Sequence, residues 1–268
     1  MNAEISVCLS AIHGTYLEKS LESIFNNKFQ DFEVIVNDSS KNFILSDIIK
    51  KYDAKIIKKE TKTLESRYLT IKESKGKNIL LLDETRIINS SLLEKLNNLS
   101  NDLIVIGEMD MGRGLLIKLS NLDKKALPEN PNKLSPYINK TIIPRYYNSK
   151  VIKEAIEKIK NNLPPEIFKN AVALDLELIY LESYNISKDI GIIKTPEIFH
   201  YGDETFKDVF NKYYKYGYSQ KMFKNTCYSE FSNLSGRNRA SSTLKDRILS
   251  IPIQIIRGIP FLLGYISV

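Results

Sequence analysis

The strongest constraint in this sequence is a rhythm near its start. "ISVCL" (5–9) and "FEVIV" (32–36) are short β-rich apolar runs, and between them Leu17, Leu21, Ile24 and Phe25 recur at i, i+4, i+7 and i+8. That spacing is the stripe of a helix lying on a sheet. "AKIIK" (54–58), "NILLL" (78–82) and "DLIVI" (102–106) continue the series of strands. Strand, helix, strand at this interval is a βαβ unit, so the expected fold is α/β: a Rossmann-like, mostly parallel sheet flanked by helices. A chain of 268 residues with 43% hydrophobic content can bury one large domain, or one domain with an appendage. The division expected here is a domain over 1–206 and an extension over 207–268.

In sheets of this kind ligands sit beyond the carboxyl ends of the strands. Asp38 follows "FEVIV", and Asp83 and Glu84 follow "NILLL". The phosphate-cradling loops GxGxxG and GxxxxGK[ST] are both absent, and "HGTYLEKS" after the first strand has a single glycine. A nucleotide bound here needs another counter-charge for its phosphates. A divalent metal, Mg or Mn, on strand-end carboxylates is the expected substitute, because hard cations prefer oxygen ligands and bridge to phosphate. Two cysteines, Cys8 and Cys227, form neither a disulfide framework nor a spaced metal cluster, which fits a reducing compartment. "MNAEISVCLS" has no basic segment leading into a long apolar core, so the folded part is expected in the cytoplasm.

Charge is placed unevenly. Residues 207–268 hold ten Lys and Arg against three acids, a surplus equal to the +7 net charge of the whole chain. A basic region implies an anionic partner. The ending "LKDRILSIPIQIIRGIPFLLGYISV" is almost wholly apolar from Ile248 onward, interrupted by Pro252, Gly258 and Pro260. It is short and broken for a span, which takes about 20 apolar residues. A helix in the membrane interface, or a shallow hairpin, with the basic residues on acidic headgroups, is the expectation. The alternative is a helix packed on its own core or on a second subunit in a homo-oligomer. Neither RNA-binding motifs nor aromatic-basic repeats point to nucleic acid.

These segments resemble a known family. "ISVCLSAIHGTYLEKSLESIFNNKFQDFEVIVNDSS" is similar to the opening of the family 2 glycosyltransferases, and "ESRYLTIKESKGKNILLLDE" to the stretch leading into their DxD motif. "ALDLELIYLE" resembles their Glu-Asp stretch, "IFHYGDETFKDVFNKYYKYG" their His-containing tail motif, and "IPFLLGYI" the tails of membrane-associated members. The resemblance covers most of residues 4–220 and implies the GT-A fold. It implies that Asp38 contacts the base or ribose of a nucleotide-sugar donor and that Arg67 lies near the base and phosphates. Asp83 corresponds to the first acid of DxD, in contact with donor and metal. Asp175 corresponds to the general base, and His200 to a third metal ligand or a phosphate contact. Three positions depart from the pattern: Thr85 at the third place of DxD, Asn37 where many members carry an acid, and Leu174 where Asp175 usually has a Glu neighbour. Thr85 leaves three alternatives: Glu84 takes over the metal contact, the metal is held weakly, or it is absent.

The activity implied is inverting transfer of a sugar to an acceptor at the cytoplasmic face of the cell membrane, either a polyprenyl-linked glycan or a polyprenyl phosphate. Two other functions compete: a metal-dependent nucleotidyltransferase, and a non-catalytic membrane-surface binding protein on the same fold. Each residue also has a plainer use. Asp38 or Asp83 caps the following helix, Asp175 and Glu177 form a solvated helix face, Arg67 makes a surface ion pair, and His200 is a hydrogen-bonded loop residue. Tyr213, Tyr214, Tyr216 and Tyr218 suit amphipathic packing against core or lipid.

Overall fold

A computed structural model describes residues 3–124, 127, 130–140, 142–233, 248 and 251–267. Its eight strands form one sheet. They are β1 (Ile5–Ala11), β2 (Phe32–Asp38), β3 (Ala54–Lys58), β4 (Asn78–Asp83), β5 (Arg86–Ile88), β6 (Leu103–Met111), β7 (Tyr146–Asn148) and β8 (Ile190–Tyr201), in the spatial order β3-β2-β1-β4-β7-β6-β8-β5. The pairs β1–β2, β1–β4, β2–β3 and β6–β8 are parallel. β7 runs antiparallel to both β4 and β6, and β5 antiparallel to β8. The five strands read from sequence are present, and the α/β expectation holds.

Each central strand is apolar on both faces, and its period of two decides which helices it meets. Val7, Leu9, Val36, Leu80 and Leu82 pack against α1 (Leu17–Phe25), α2 (Ser46–Ile49) and α4 (Leu92–Asn97). Cys8, Ile35, Ile79 and Leu81 face the other way, toward α3 (Thr63–Glu73), α6 (Ser149–Asn162), α7 (Pro165–Asn170) and α8 (Asp175–Ile186). The alternation continues past the apolar residues. Ser10, Asn37 and Asp83 inherit the α3 and α8 side, whereas Asp38 inherits the α2 side.

At the other end of the sheet α5 (Leu115–Lys124) meets the C-terminal helices α9 (Phe206–Lys221) and α11 (Ile251–Ile266), with α10 (Ser229–Asn233) between those two in sequence. α9 and α11 cross at Gly217 and Gly264. A Cβ on Gly217 would collide with the Phe261 carbonyl, and one on Gly264 with the Tyr214 carbonyl, so only glycine permits backbones this close. Arg257 of α11 donates from Nη2 to Ser120 Oγ at 2.6 Å and lies 5.5 Å from the Tyr213 ring. The outward faces stay apolar. Phe206, Phe210, Tyr214 and Tyr218 repeat every four residues along α9, and Ile251, Ile255, Ile259, Leu262 and Ile266 every three or four along α11, all exposed. Among the described residues no helix is long and apolar enough to cross a membrane. Arg237, Arg239, Lys245 and Arg247 lie outside the described residues.

Candidate active site

Arg67 sits on the inner face of α3 with 1% of its surface exposed. A guanidinium this deep must be matched or it would cost several kcal/mol, on the order of the penalty for any buried ion. Three groups match it. Its Nη1 donates to the Leu82 carbonyl, its Nη2 to Asp83 Oδ1, and its Nε reaches Asp175 Oδ2 at 3.4 Å. Asp83 arrives there because β4 places it on the α3 side one residue past the core, with 26% of its side chain open. Asp175 arrives by a strained turn: Leu174, just before α8, holds φ +65°, a conformation an ordinary L residue avoids by about 1–2 kcal/mol. The Leu174 side chain is buried in the core, which offsets that cost. Of the residues expected from sequence, the structure gathers Arg67, Asp83 and Asp175.

A second set of charges adjoins them through strand pairing. In the ladders β5–β8 and β6–β8, Arg86 faces His200 and His200 faces Asp110. Arg86 Nη1 donates to Asp83 Oδ2, and its Nη2 lies 3.6 Å from Glu108 Oε2. Glu108 accepts from Arg145 Nε at 2.7 Å. Asp110 meets His200 Nδ1 at 2.7 Å and Lys124 Nζ at 2.5 Å, and accepts from Ser120 Oγ. Burial alone would raise Glu108, yet Arg145, Arg86 and Lys124 together hold it well below the carboxylate range. Asp110 is likewise held low, its burial outweighed by His200 and Lys124. Burial lowers Arg86 to about 10, with Arg145 and Arg67 adding repulsion. His200 falls to about 4, mainly through burial, so near neutral pH the ring is uncharged and Nδ1–H donates to Asp110.

Within the first turn of α8, Glu177 differs from these paired acids. Burial first and the adjacent Asp175 carboxylate second raise it to about 7. Tyr216 of α9 is raised for the same pair of reasons, by burial and then by the charges of Asp175 and Glu177. The start of α8 therefore presents one carboxylate tied to Arg67 and a second that changes protonation near neutral pH, the range suited to moving a proton.

Asp38 and Glu84 stand apart from this cluster. Asp38 is fully buried; it accepts from Ser40 N at 3.1 Å and Ser40 Oγ at 2.5 Å on one oxygen, and from Ser46 Oγ at 2.9 Å on the other. Glu84 accepts from the backbone N–H groups of Ile12, His13 and Gly14 at 2.8–3.2 Å, using both oxygens, and so fastens the loop after β1. Both oxygens of Asp83 already carry a guanidinium, and His200 is bonded to Asp110. The expected metal set of Asp83, Glu84 and His200 is thus not assembled, and the donor atoms do not fit a divalent ion as they stand. Among the described residues no group of three or more His, Cys, Asp or Glu could hold one.

Arg86, Glu108, Asp110, Lys124, Arg145 and Glu177 were not singled out as site residues from sequence. One signal for Glu108 and Asp110 was present: in "GEMDM" two acids alternate directly after the apolar run of β6, the placement that drew attention to Asp83. Arg145 had none. It enters between strands, with its N–H on the Ile104 carbonyl and its carbonyl receiving Leu81 N.

No protein-family model matches the chain, and no curated protein matches it. Solved structures do. TarS from S. aureus superposes with a TM-score of 0.57 at 14% identity over 99% of this chain, which spans 54% of the TarS chain. TarS 1–349 in complex with UDP-GlcNAc gives 0.56 at 16% identity, covering 98% of this chain and 84% of the other. The mannosyltransferase PcManGT from Pyrobaculum calidifontis, in complex with GDP-Man and Mn2+, gives 0.54 at 8% identity, covering 98% and 73%. At such identities the likeness establishes the fold: this chain has the architecture on which those proteins hold a nucleotide sugar.

Proposed function

We propose that the protein is an inverting glycosyltransferase that moves a sugar from a nucleotide-sugar donor to an acceptor hydroxyl or phosphate at the cytoplasmic face of a membrane. The observation that carries this reading is Arg67, whose one guanidinium joins Asp83 at the end of β4 to Asp175 at the start of α8. The donor lies over the strand ends beside Asp83 and Arg67, on the loop that Asp38 shapes, and the acceptor meets the carboxylates of α8. The acceptor oxygen attacks the anomeric carbon from the face opposite the diphosphate. The new C–O bond forms as the bond to the phosphate oxygen breaks, and that electron pair leaves with the diphosphate. A hydroxyl acceptor gives its proton to Asp175 or to Glu177, whose carboxyl is raised to about 7; a phosphate acceptor has none to give.

The membrane part of the reading rests on the exposed apolar stripes of α9 and α11 together with the exposed Lys207, Lys215 and Lys224, a combination suited to an acidic interface. One helix joins the two parts, since α9 bears both Tyr216 beside α8 and the outward stripe.

The test of activity is thermal stabilisation by nucleoside diphosphates and nucleotide sugars, followed by transfer assays. Asp175→Asn should keep donor affinity and lower turnover by about 10²-fold, the usual share of a positioned base. Parental turnover in that variant would remove Asp175 from the chemistry. For the membrane, Ile259→Glu with Leu262→Glu should abolish flotation with acidic vesicles, and undiminished flotation would refute the interface.

A further inference from the structure

We infer that arginine side chains, Arg86 and Arg145 with Arg67, hold the donor diphosphate in place of a divalent cation. This rests on the transferase reading above and concerns how the same site receives its substrate.

The residues that would bind a cation are already engaged. Asp83 gives one oxygen to Arg67 and the other to Arg86. Glu84 is spent on three backbone N–H groups. Thr85, at the remaining place of the motif, brings no carboxylate, and its carbonyl pairs with Tyr201 N at 2.9 Å. A metal entering here would have to displace a guanidinium from Asp83 while three arginines repelled it. Four cationic side chains, Arg67, Arg86, Arg145 and Lys124, face four carboxylates, Asp83, Asp175, Glu108 and Asp110, so the cluster has no unmatched negative charge to draw a cation.

The cationic groups, in contrast, have unspent donors. Arg86 is 9% exposed and Arg145 6%, yet Arg86 Nε and Arg145 Nη1 have no hydrogen-bond partner among the described residues. Buried guanidinium N–H groups are normally satisfied. Glu108 lies between the two side chains and orients both, 3.6 Å from Arg86 and 2.7 Å from Arg145. Burial is the main reason Arg86 is lowered, and the repulsion by Arg145 that adds to it is relieved by an anion that both side chains share. A diphosphate is such an anion, with oxygens spaced for the planar fork of a guanidinium. As the anomeric C–O bond breaks, the electron pair stays on a phosphate oxygen, and fixed N–H donors stabilise the charge that develops there.

Calorimetric titration of the full chain with UDP and with GDP, in EDTA and in Mn2+, tests this. The inference expects at least one of them to bind in EDTA with a Kd within about threefold of its value in Mn2+, since guanidinium donors replace the ion. Arg86→Ala should weaken that binding by tenfold or more while leaving the corresponding nucleoside unaffected. Arg86→Lys keeps a charge without the fork and should recover part of the loss, which separates contact from misfolding. Binding that requires Mn2+, or unchanged affinity in both Arg86 variants, would overturn the inference and leave the transferase reading standing. Failure of every nucleoside diphosphate to bind with and without Mn2+ would overturn the transferase reading itself.

Discussion

Asp38 and Asp83 occupy equivalent places, each closing a parallel strand at the carboxyl edge of one sheet, yet their surroundings have little in common. Asp38 falls on the α2 side, fully buried, with its oxygens shared among two serine hydroxyls and a backbone N–H. Asp83 falls on the α3 side, partly open, between two guanidinium groups. One is neutralised by dipoles in a turn, the other by full charges that extend through Arg67 to Asp175. The strand-end position makes an acid available, but the face it occupies decides whether it joins a site or supports a loop.

The largest expected effect breaks the charged side of that contrast. Arg67→Ala leaves Asp83 and Asp175 without their common partner and should cost about 3–5 kcal/mol, as for any buried pair that loses one member. Denaturant unfolding measures it, and a loss under about 1 kcal/mol would reduce the pair to the value of a surface contact. Asp38→Ala tests the other side. It strands two buried hydroxyls and should cost about 1–3 kcal/mol with nucleotide affinity little changed. Intact stability with lost affinity would instead give Asp38 the direct donor contact that the family resemblance implies.

The smallest effect sharpens the contrast by pH. Glu177 is raised to about 7, so turnover with a hydroxyl acceptor should rise through a limb near that pH, and Glu177→Gln should remove the limb. The sign for stability is opposite. A carboxyl whose folded pKa lies above its unfolded one favours the fold while neutral, and this contribution is lost as pH rises through about 7. Glu177→Gln should therefore flatten the stability profile between the ordinary glutamate range and neutral pH, measured by unfolding at several pH values.

The parallel core was legible because β1 to β4 and the start of β6 are short β-rich runs, most of them apolar, with helical stripes between them. β5 and β7, three residues each, carry too little pattern to read. β8 is long but is broken in sequence by "KTP". In the structure Pro196 pairs with Gly107 where the β6–β8 register shifts, a bulge that accommodates a residue unable to donate. Missing β8 and β5 hid the second half of the site, because Arg86, His200 and Asp110 meet only through those ladders. Arg67, Asp83 and Asp175 were legible because each lies in a segment with its own local signature. Glu84 was misleading for a related reason: its neighbour's chemistry suggested a ligand, whereas three N–H groups some seventy residues away in sequence had claim on it.

The glycine crossing of α9 and α11 has a mechanical side. Where helices meet through side chains, small displacements are absorbed by rotamer changes before they travel. At Gly217 and Gly264 the backbones themselves touch, so that cushioning is missing. Two residues past Gly217, Ser219 Oγ accepts from the N–H groups of Val172 and Ala173, just before α8. A sideways push on the last helix is thus passed through α9 to the segment that leads into α8 and its carboxylates.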